Sequence, residues 1–400
     1  MLNPNDITLG CADDYTVIIT ARDLETYAAQ VDWSTLSWSR VLDEVSEATV
    51  TVPDVFGGLR CNIELGTTVR PWRFGIRIER NGQLVWAGPI VSVERPVRNG
   101  AGTDFVTITA QDKMAWMSKR TITDLLAFVG EDAGTVFKSV IDESTEIDNV
   151  FDLVCPEFTT GYTMTREIVP LDFEYSLDIL TEIANAAVDY TVIGTELVVQ
   201  ESASTGIPQG WYALRDGDRQ RWAPTEDPFG RYIFGLFTDE AYDARPGFTL
   251  DGYAQGNNIY VPGADSGEAG FRRVWSAFDV DPLDGVLTYV DVNTLYRPQE
   301  DPIVADAVFQ QRADSLLAWK KTTPAIVSGG TLGQQAPITV DRLFPGSLWT
   351  MDLAEKGIEE LLTVQRLKRV DVEVSINGGG FVERVSPTMI PIGTDETQGG

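Results

Sequence analysis

Histidine is wholly absent from the 400 residues. Its absence removes the commonest general base, the usual partner of a serine or cysteine nucleophile and the most frequent transition-metal ligand. Cysteine is nearly absent too. Cys11, Cys61 and Cys155 are far apart and odd in number, so they form neither a Cys-x-x-Cys metal knuckle nor a disulfide framework, and each reads as a small buried side chain. Basic residues are scarce, 31 against 60 acidic, for a formal net charge of −29. Such a chain repels a polyanion and is not expected to grip nucleic acid through basic patches. No apolar run approaches the roughly 18 residues of a membrane span. The opening Met1–Gly10 is polar and turn-rich, without the charged and apolar regions of a secretory leader.

What remains is a chain with 43% hydrophobic residues, enough for two to four compact domains of about 100–200 residues each. Residues 1–120 read as strands. Tyr15–Thr20, Ala48–Val52, Gly75–Glu79, Leu84–Ala87, Pro89–Val93 and Phe105–Ala110 are short, mostly alternating and rich in β-branched and aromatic residues. Asn81-Gly82 separates two of them. That dipeptide is the type I′ hairpin signal, because both central residues of the turn need positive φ. Six short strands predict a small closed or nearly closed barrel, with Asp23–Gln30 as a short helical turn or an irregular excursion.

The period then changes. Thr135–Ile141 and Ser176–Val188 carry apolar residues at helical spacing, with Ser176 placed as an N-cap. Asp189–Gln200 follows as a hairpin around Gly194-Thr195, giving a small α+β domain over 121–204. Residues 205–300 are dense in Gly, Pro, Asp and aromatics and read as a loop-rich β insertion. Its aromatics, Trp211 and Trp222 among them, read as local core or as a surface facing another subunit. In 301–392 a helix over Ala305–Lys320, stopped by Pro324, precedes strands at Ala325–Val327, Ile338–Val340, Leu348–Met351, Thr363–Val374 and Phe381–Val385. Asn377–Gly380 reads as a hairpin loop, and Gly393–Gly400 as a loose tail. The fold class is therefore α+β and predominantly β, two barrel-like domains flanking α+β and loop-rich material.

Acidic residues invite a carboxylate site, but none assembles in the sequence. The nearest calcium motif, Asp279–Gly285, has Leu283 where an EF-hand loop needs its third oxygen ligand. Glu25, Glu44 and Glu47 are acids without a cleft to gather them. No Gly-x-x-x-x-Gly-Lys-Ser/Thr cradle occurs, and no Ser-x-x-Lys sits in a recognisable setting. Catalysis, cofactor and metal are not expected.

The order of several weak motifs carries a resemblance. Asp32–Val50, with its Ser46-Glu47-Ala48, resembles the N-terminal block of actinobacterial siphophage tail proteins related to the late control D and VgrG-like hubs. Val69-Arg70-Pro71-Trp72 through Gly88-Pro89 is similar to the hairpin that closes that family's first barrel. Leu177–Val199, the helix ending near Trp319, and the Gln335–Pro337 and Leu343–Gly346 turns are similar to its later elements. The resemblance implies a homotrimeric hub ring in a phage tail tip, two barrels per subunit in pseudo-sixfold array. Its partners would be the distal tail protein and tail tube above, the tip or fibre and tape measure proteins, and DNA only in transit. It implies residence in the virion after synthesis in the host cytoplasm. Acidic residues lining the channel would then keep exiting DNA from sticking, though acidity equally serves solubility. The alternative is a carbohydrate-binding adhesin or receptor-binding tail protein using Trp211 and Trp222. The residues named as structural anchors are Trp33, Trp38, Trp72 and Trp86, expected in the first barrel, with Asn81 and Gly82 turning its hairpin.

Overall fold

A computed structural model describes residues 14–53, 69–94, 105–146, 153–170 and 174–201, and, between 211 and 391, mainly the strands given below with a few flanking residues. The N-terminal strands are β1 (Tyr15–Ala21), β2 (Tyr27–Val31), β3 (Thr35–Val41), β4 (Glu47–Pro53), β5 (Phe74–Arg80), β6 (Gln83–Glu94) and β7 (Phe105–Gln111). In β1 and β4 every second side chain is buried, the period-2 pattern of a strand with one face on the core. Asn81 and Gly82 both take positive φ, 51° and 74°, between paired Arg80 and Gln83. The hairpin forms there because its two turn residues tolerate that conformation.

Two expectations change in this block. Asp23–Gln30 is neither helix nor irregular throughout, because β2 begins at Tyr27 and pairs antiparallel with β1. The segments at 84–87 and 89–93 form one strand of 12 residues. A register shift between Ile90 and Ser92 bends β6, so it pairs first with β5 and then with β7. Gly88 lies at this crossing, where a Cβ would stand 1.8 Å from the carbonyl oxygen of Gln111.

The 3-10 helix Lys113–Lys119 leads into an α+β unit: β8 (Leu126–Asp132), α1 (Ala133–Glu146), β9 (Thr163–Ile168), α2 (Ser176–Ala187), β10 (Val188–Ile193) and β11 (Glu196–Glu201). In α1 the buried residues Val136, Phe137, Val140, Ile141 and Ser144 form one face. Asp132 caps that helix, its Oδ1 accepting from the Gly134 amide at 2.8 Å. Ser176 does not cap the second helix. Tyr175 holds the cap position without a side-chain bond, and the Ser176 hydroxyl instead meets that of Ser144 at 2.7 Å, tying the two helices. Between β10 and β11, Gly194 has φ +61°, as the hairpin reading requires.

The 211–391 region holds β12 (Trp211–Arg215), β13 (Asp218–Trp222), β14 (Tyr232–Phe234), β15 (Tyr242–Ala244), β16 (Gly247–Leu250), β17 (Asn258–Asp265), β18 (Arg272–Phe278) and β19 (Val290–Val292). These are followed by β20 (Ala325–Ser328), β21 (Thr331–Leu332), β22 (Leu348–Asp352), β23 (Leu362–Asn377) and β24 (Gly380–Pro391). The expected loop-rich insertion thus carries regular pairing, β12 and β13 extending the β10–β11 hairpin. Of the expected helix 305–320, the described residues Gln310, Ala313, Asp314 and Leu317 are helical. Val340 belongs to a 3-10 turn, not to the strand expected at 338–340. The tail 393–400 lies outside the described residues.

The fold is α+β and predominantly β. Its largest sheet has 15 strands, along the path β15-β21-β24-β23-β3-β4-β7-β6-β5-β1-β2. Strand β23 joins the two ends of the chain. β24 runs along one edge of it, while the other edge pairs with β22 over 362–366 and with β3 over 369–375. The changeover falls at a bulge between Leu367 and Arg369. The N-terminal block and residues 362–391 therefore share one sheet and one core, in which Trp33 stacks on Phe381 at 5.4 Å.

Candidate assembly surface

The anchoring tryptophans divide between two cores. Trp33, Trp38 and Trp86 lie in the core shared by the N- and C-terminal strands. Trp86 is positioned by an indole Nε1 bond of 3.1 Å to the Ser46 hydroxyl. Trp72 lies elsewhere, half-buried against the core of the α+β unit and edge-on to Trp116 at 5.1 Å. The reason is its turn: Trp72 takes φ +63°, and its amide bonds Ile90 O at 2.7 Å, which swings the ring away from the first core.

Buried polar groups tie distant parts of the chain together. Arg80 on β5 bonds Glu383 on β24 at 2.8 and 3.1 Å, and the Tyr15 hydroxyl donates to the same carboxylate. Burial, then the negative charge of Glu383, holds the Tyr15 pKa well above its ordinary value. Arg40 donates to Val340 O at 3.3 Å and Val85 O at 3.1 Å. The α+β unit is held to the strands by Asp43, which receives the Tyr190 amide at 2.7 Å, and by Thr191 Oγ1 on Val41 O at 2.9 Å. Behind this junction the Arg366 guanidinium meets Asp189, whose Oδ2 also accepts Gln200 Nε2 at 3.0 Å. Asp112 caps the 3-10 helix at Met114 N, 2.9 Å, and accepts Ser46 N at 2.6 Å. Burial pushes its pKa up to about 6 despite those bonds. Each of these residues holds separate elements together.

Glu25, Glu44 and Glu47 all lie at exposed positions. Glu44 pairs with Lys368 at 3.0 Å, Glu25 is exposed beside the Asp23 turn, and Glu47 is exposed on β4. Among the described residues no group of three or more acids and cysteines is placed to hold a metal ion. The Asp279–Gly285 turn lies outside the described residues. Cys155 is buried, which pushes its thiol pKa up. No described helix is long and apolar enough to cross a membrane.

Two surface features depart from the acidic, solvated norm. The first is the two-stranded β8–β9 ribbon. Leu126 and Phe128 face the inner core. On the opposite side Leu125 is 58% exposed, Ala127 is exposed, and Val129 is 77% exposed at a bulge between Phe128 and Glu131. Asp124, Glu131 and Glu167 rim this stripe. The second is the turn at Trp72, where Arg70, Arg73 and Lys119 are exposed. Lys119 Nζ lies 5.4 Å from the Trp72 ring, and the Arg22 guanidinium 4.5 Å over Trp116. In the linear sequence only Arg70 and Arg73 stand beside Trp72, and the fold brings Lys119 and Arg22 to this corner from two other segments.

No protein-family model matches the sequence, and no curated protein matches it. Solved structures do. A tail protein from Neisseria meningitidis MC58 superposes with a TM-score of 0.55 at 14% identity, over 93% of this chain and 96% of that one. The 43 kDa tail protein of prophage MuSo2 from Shewanella oneidensis gives 0.56 at 11% identity, over 94% of this chain and 98% of that one. The chain thus shares, over nearly its whole length, the fold of these tail proteins.

Proposed function

We propose that this chain is a non-enzymatic structural subunit of a phage tail tip. In this reading three copies form a hub ring that connects the tail tube and distal tail protein to the tip or fibre proteins, beside the tape measure protein. DNA leaves through the ring, and the chain resides in the virion after synthesis in the host cytoplasm. One observation carries the reading: the likeness to two tail proteins covers nearly all of this chain and nearly all of each of them. The net charge of −29 supports it from a second side, because a negatively charged channel wall would repel passing DNA. Buried polar groups committed to holding elements together, and the exposed positions of the candidate acids, suit a structural role.

The test is the mass of the purified chain by light scattering across a concentration series, in salt that screens the acidic charge. A threefold mass, with a central pore on imaging, is the expected result. A monomer throughout the series, with glycan-dependent quenching of tryptophan fluorescence, would replace this reading with the adhesin.

A further inference from the structure

The segment Leu125–Val129 is apolar at five consecutive positions, and all but Leu125 lie in β8, one strand of a two-stranded ribbon. A ribbon with one face on a core and one in water alternates apolar with polar. Here Leu126 and Phe128 satisfy the inner face, so Ala127 and Val129 occupy positions that water would assign to polar residues, and Leu125, just before the strand, is exposed as well. Gly130, at φ +63° with its amide on Thr165 Oγ1, completes the bulge that turns Val129 outward. Bulges also disfavour strand addition at an edge. The exposed face, and not the edge, is the surface offered.

Charge identifies the occupant. The apolar stripe is rimmed by Asp124, Glu131 and Glu167, whose carboxylates have no cationic partner among the described residues. The Trp72 turn presents the converse, Arg70, Arg73 and Lys119 without a carboxylate partner among the described residues, set beside the half-buried Trp72 ring. The basic turn and the exposed apolar stripe are both unusual on a chain of net charge −29, and the acid rim of the stripe supplies the charge that the turn lacks. Lys119 and Leu125 are six residues apart, so their Cα atoms lie within about 21 Å of each other. Two different patches side by side on one protomer suit a head-to-tail contact near a rotation axis, where one copy's first patch meets the next copy's second.

We propose that the acid-rimmed apolar face of the β8–β9 ribbon docks on the Arg70–Arg73–Lys119 turn of a second copy of this chain. Aromatic and apolar side chains form the centre of the contact and the charges its rim, where they set register more than affinity. This proposal rests on the hub reading, since it names the surfaces through which that oligomer closes.

The experiment measures self-association of the full chain by sedimentation equilibrium. Val129→Glu and the pair Arg70→Glu with Arg73→Glu alter exposed side chains only, and circular dichroism checks that each variant keeps the wild-type fold. Each is expected to weaken association at least tenfold. Adding Glu131→Arg and Glu167→Arg to the Arg70→Glu, Arg73→Glu chain is expected to restore most of it. Wild-type association that survives both sets unchanged, or a swap that rescues nothing, overturns this inference and leaves the hub reading standing. A wild-type chain that stays monomeric overturns both.

Discussion

Arg366→Met tests whether the chain is held together at the point where the α+β unit meets the C-terminal hairpin. Arg366 lies on β23 just before the bulge, with its side chain 5% exposed, and its partner Asp189 on β10 is 1% exposed. Removing the cation breaks a buried ion pair while the Gln200 amide stays on the carboxylate, a loss expected to cost about 3–5 kcal/mol. Asp189→Asn breaks the same pair from the carboxylate side and is expected to cost a similar amount. The double variant leaves no buried charge from this pair, and the asparagine oxygen still accepts from Gln200. Its expected cost is about 1–2 kcal/mol, well below the sum of the single variants. Urea unfolding followed by tryptophan fluorescence supplies the four free energies of the cycle. Singles that each cost under about 1 kcal/mol, or a double as costly as the two added, would refute the reasoning that these charges stabilise only as a pair.

Other predictions follow from the same geometry. Asp112 rises from 3.8 to about 6 on folding, which at 1.36 kcal/mol per unit is about 3 kcal/mol. Because the folded state holds the proton more tightly, this group's contribution to stability falls as pH rises from about 4 through about 6. Relative to Asp112→Asn, wild type should therefore lose about 3 kcal/mol between pH 3.5 and 7, and parallel stability profiles would contradict it. Gly88→Ala drives a Cβ to within 1.8 Å of the Gln111 carbonyl oxygen, backbone that cannot turn aside. A loss of about 3 kcal/mol or more is expected, read as a lowered melting temperature. Gly82→Ala meets open space but keeps φ +74°, so only about 1 kcal/mol should be lost, measured in the same melt.

Some of this protein was written locally in its sequence. Asn81-Gly82 specified a turn because no other arrangement lets two consecutive residues take positive φ so cheaply. The spacing of Val136, Phe137, Val140 and Ile141, and of Ile179, Leu180, Ile183 and Ala184, fixed two helices and their buried faces. Alternation in β1, β4, β5 and β7 settled the β-rich class. The lack of histidine and the charge balance narrowed function before any fold was in view.

What the sequence could not settle was decided at long range. β2 went unread because Tyr27-Ala-Ala-Gln-Val has little alternation of its own and is a strand by virtue of pairing with β1. The unity of β6 hid behind Gly88-Pro89, which reads as a break in one dimension and is a bend between two partners in three. Trp72 was placed by the left-handed φ of its own turn, and the cap expected of Ser176 was lost to a hydroxyl 32 residues away. The cation cluster around Trp72 and Trp116 gathers Arg22, Arg70, Arg73 and Lys119, and the β23 ladder joins residues 35–41 to 369–375. Local propensity is a property of neighbours along the chain. Register, shared cores and charge clusters belong to neighbours in space, and only tertiary packing chooses those.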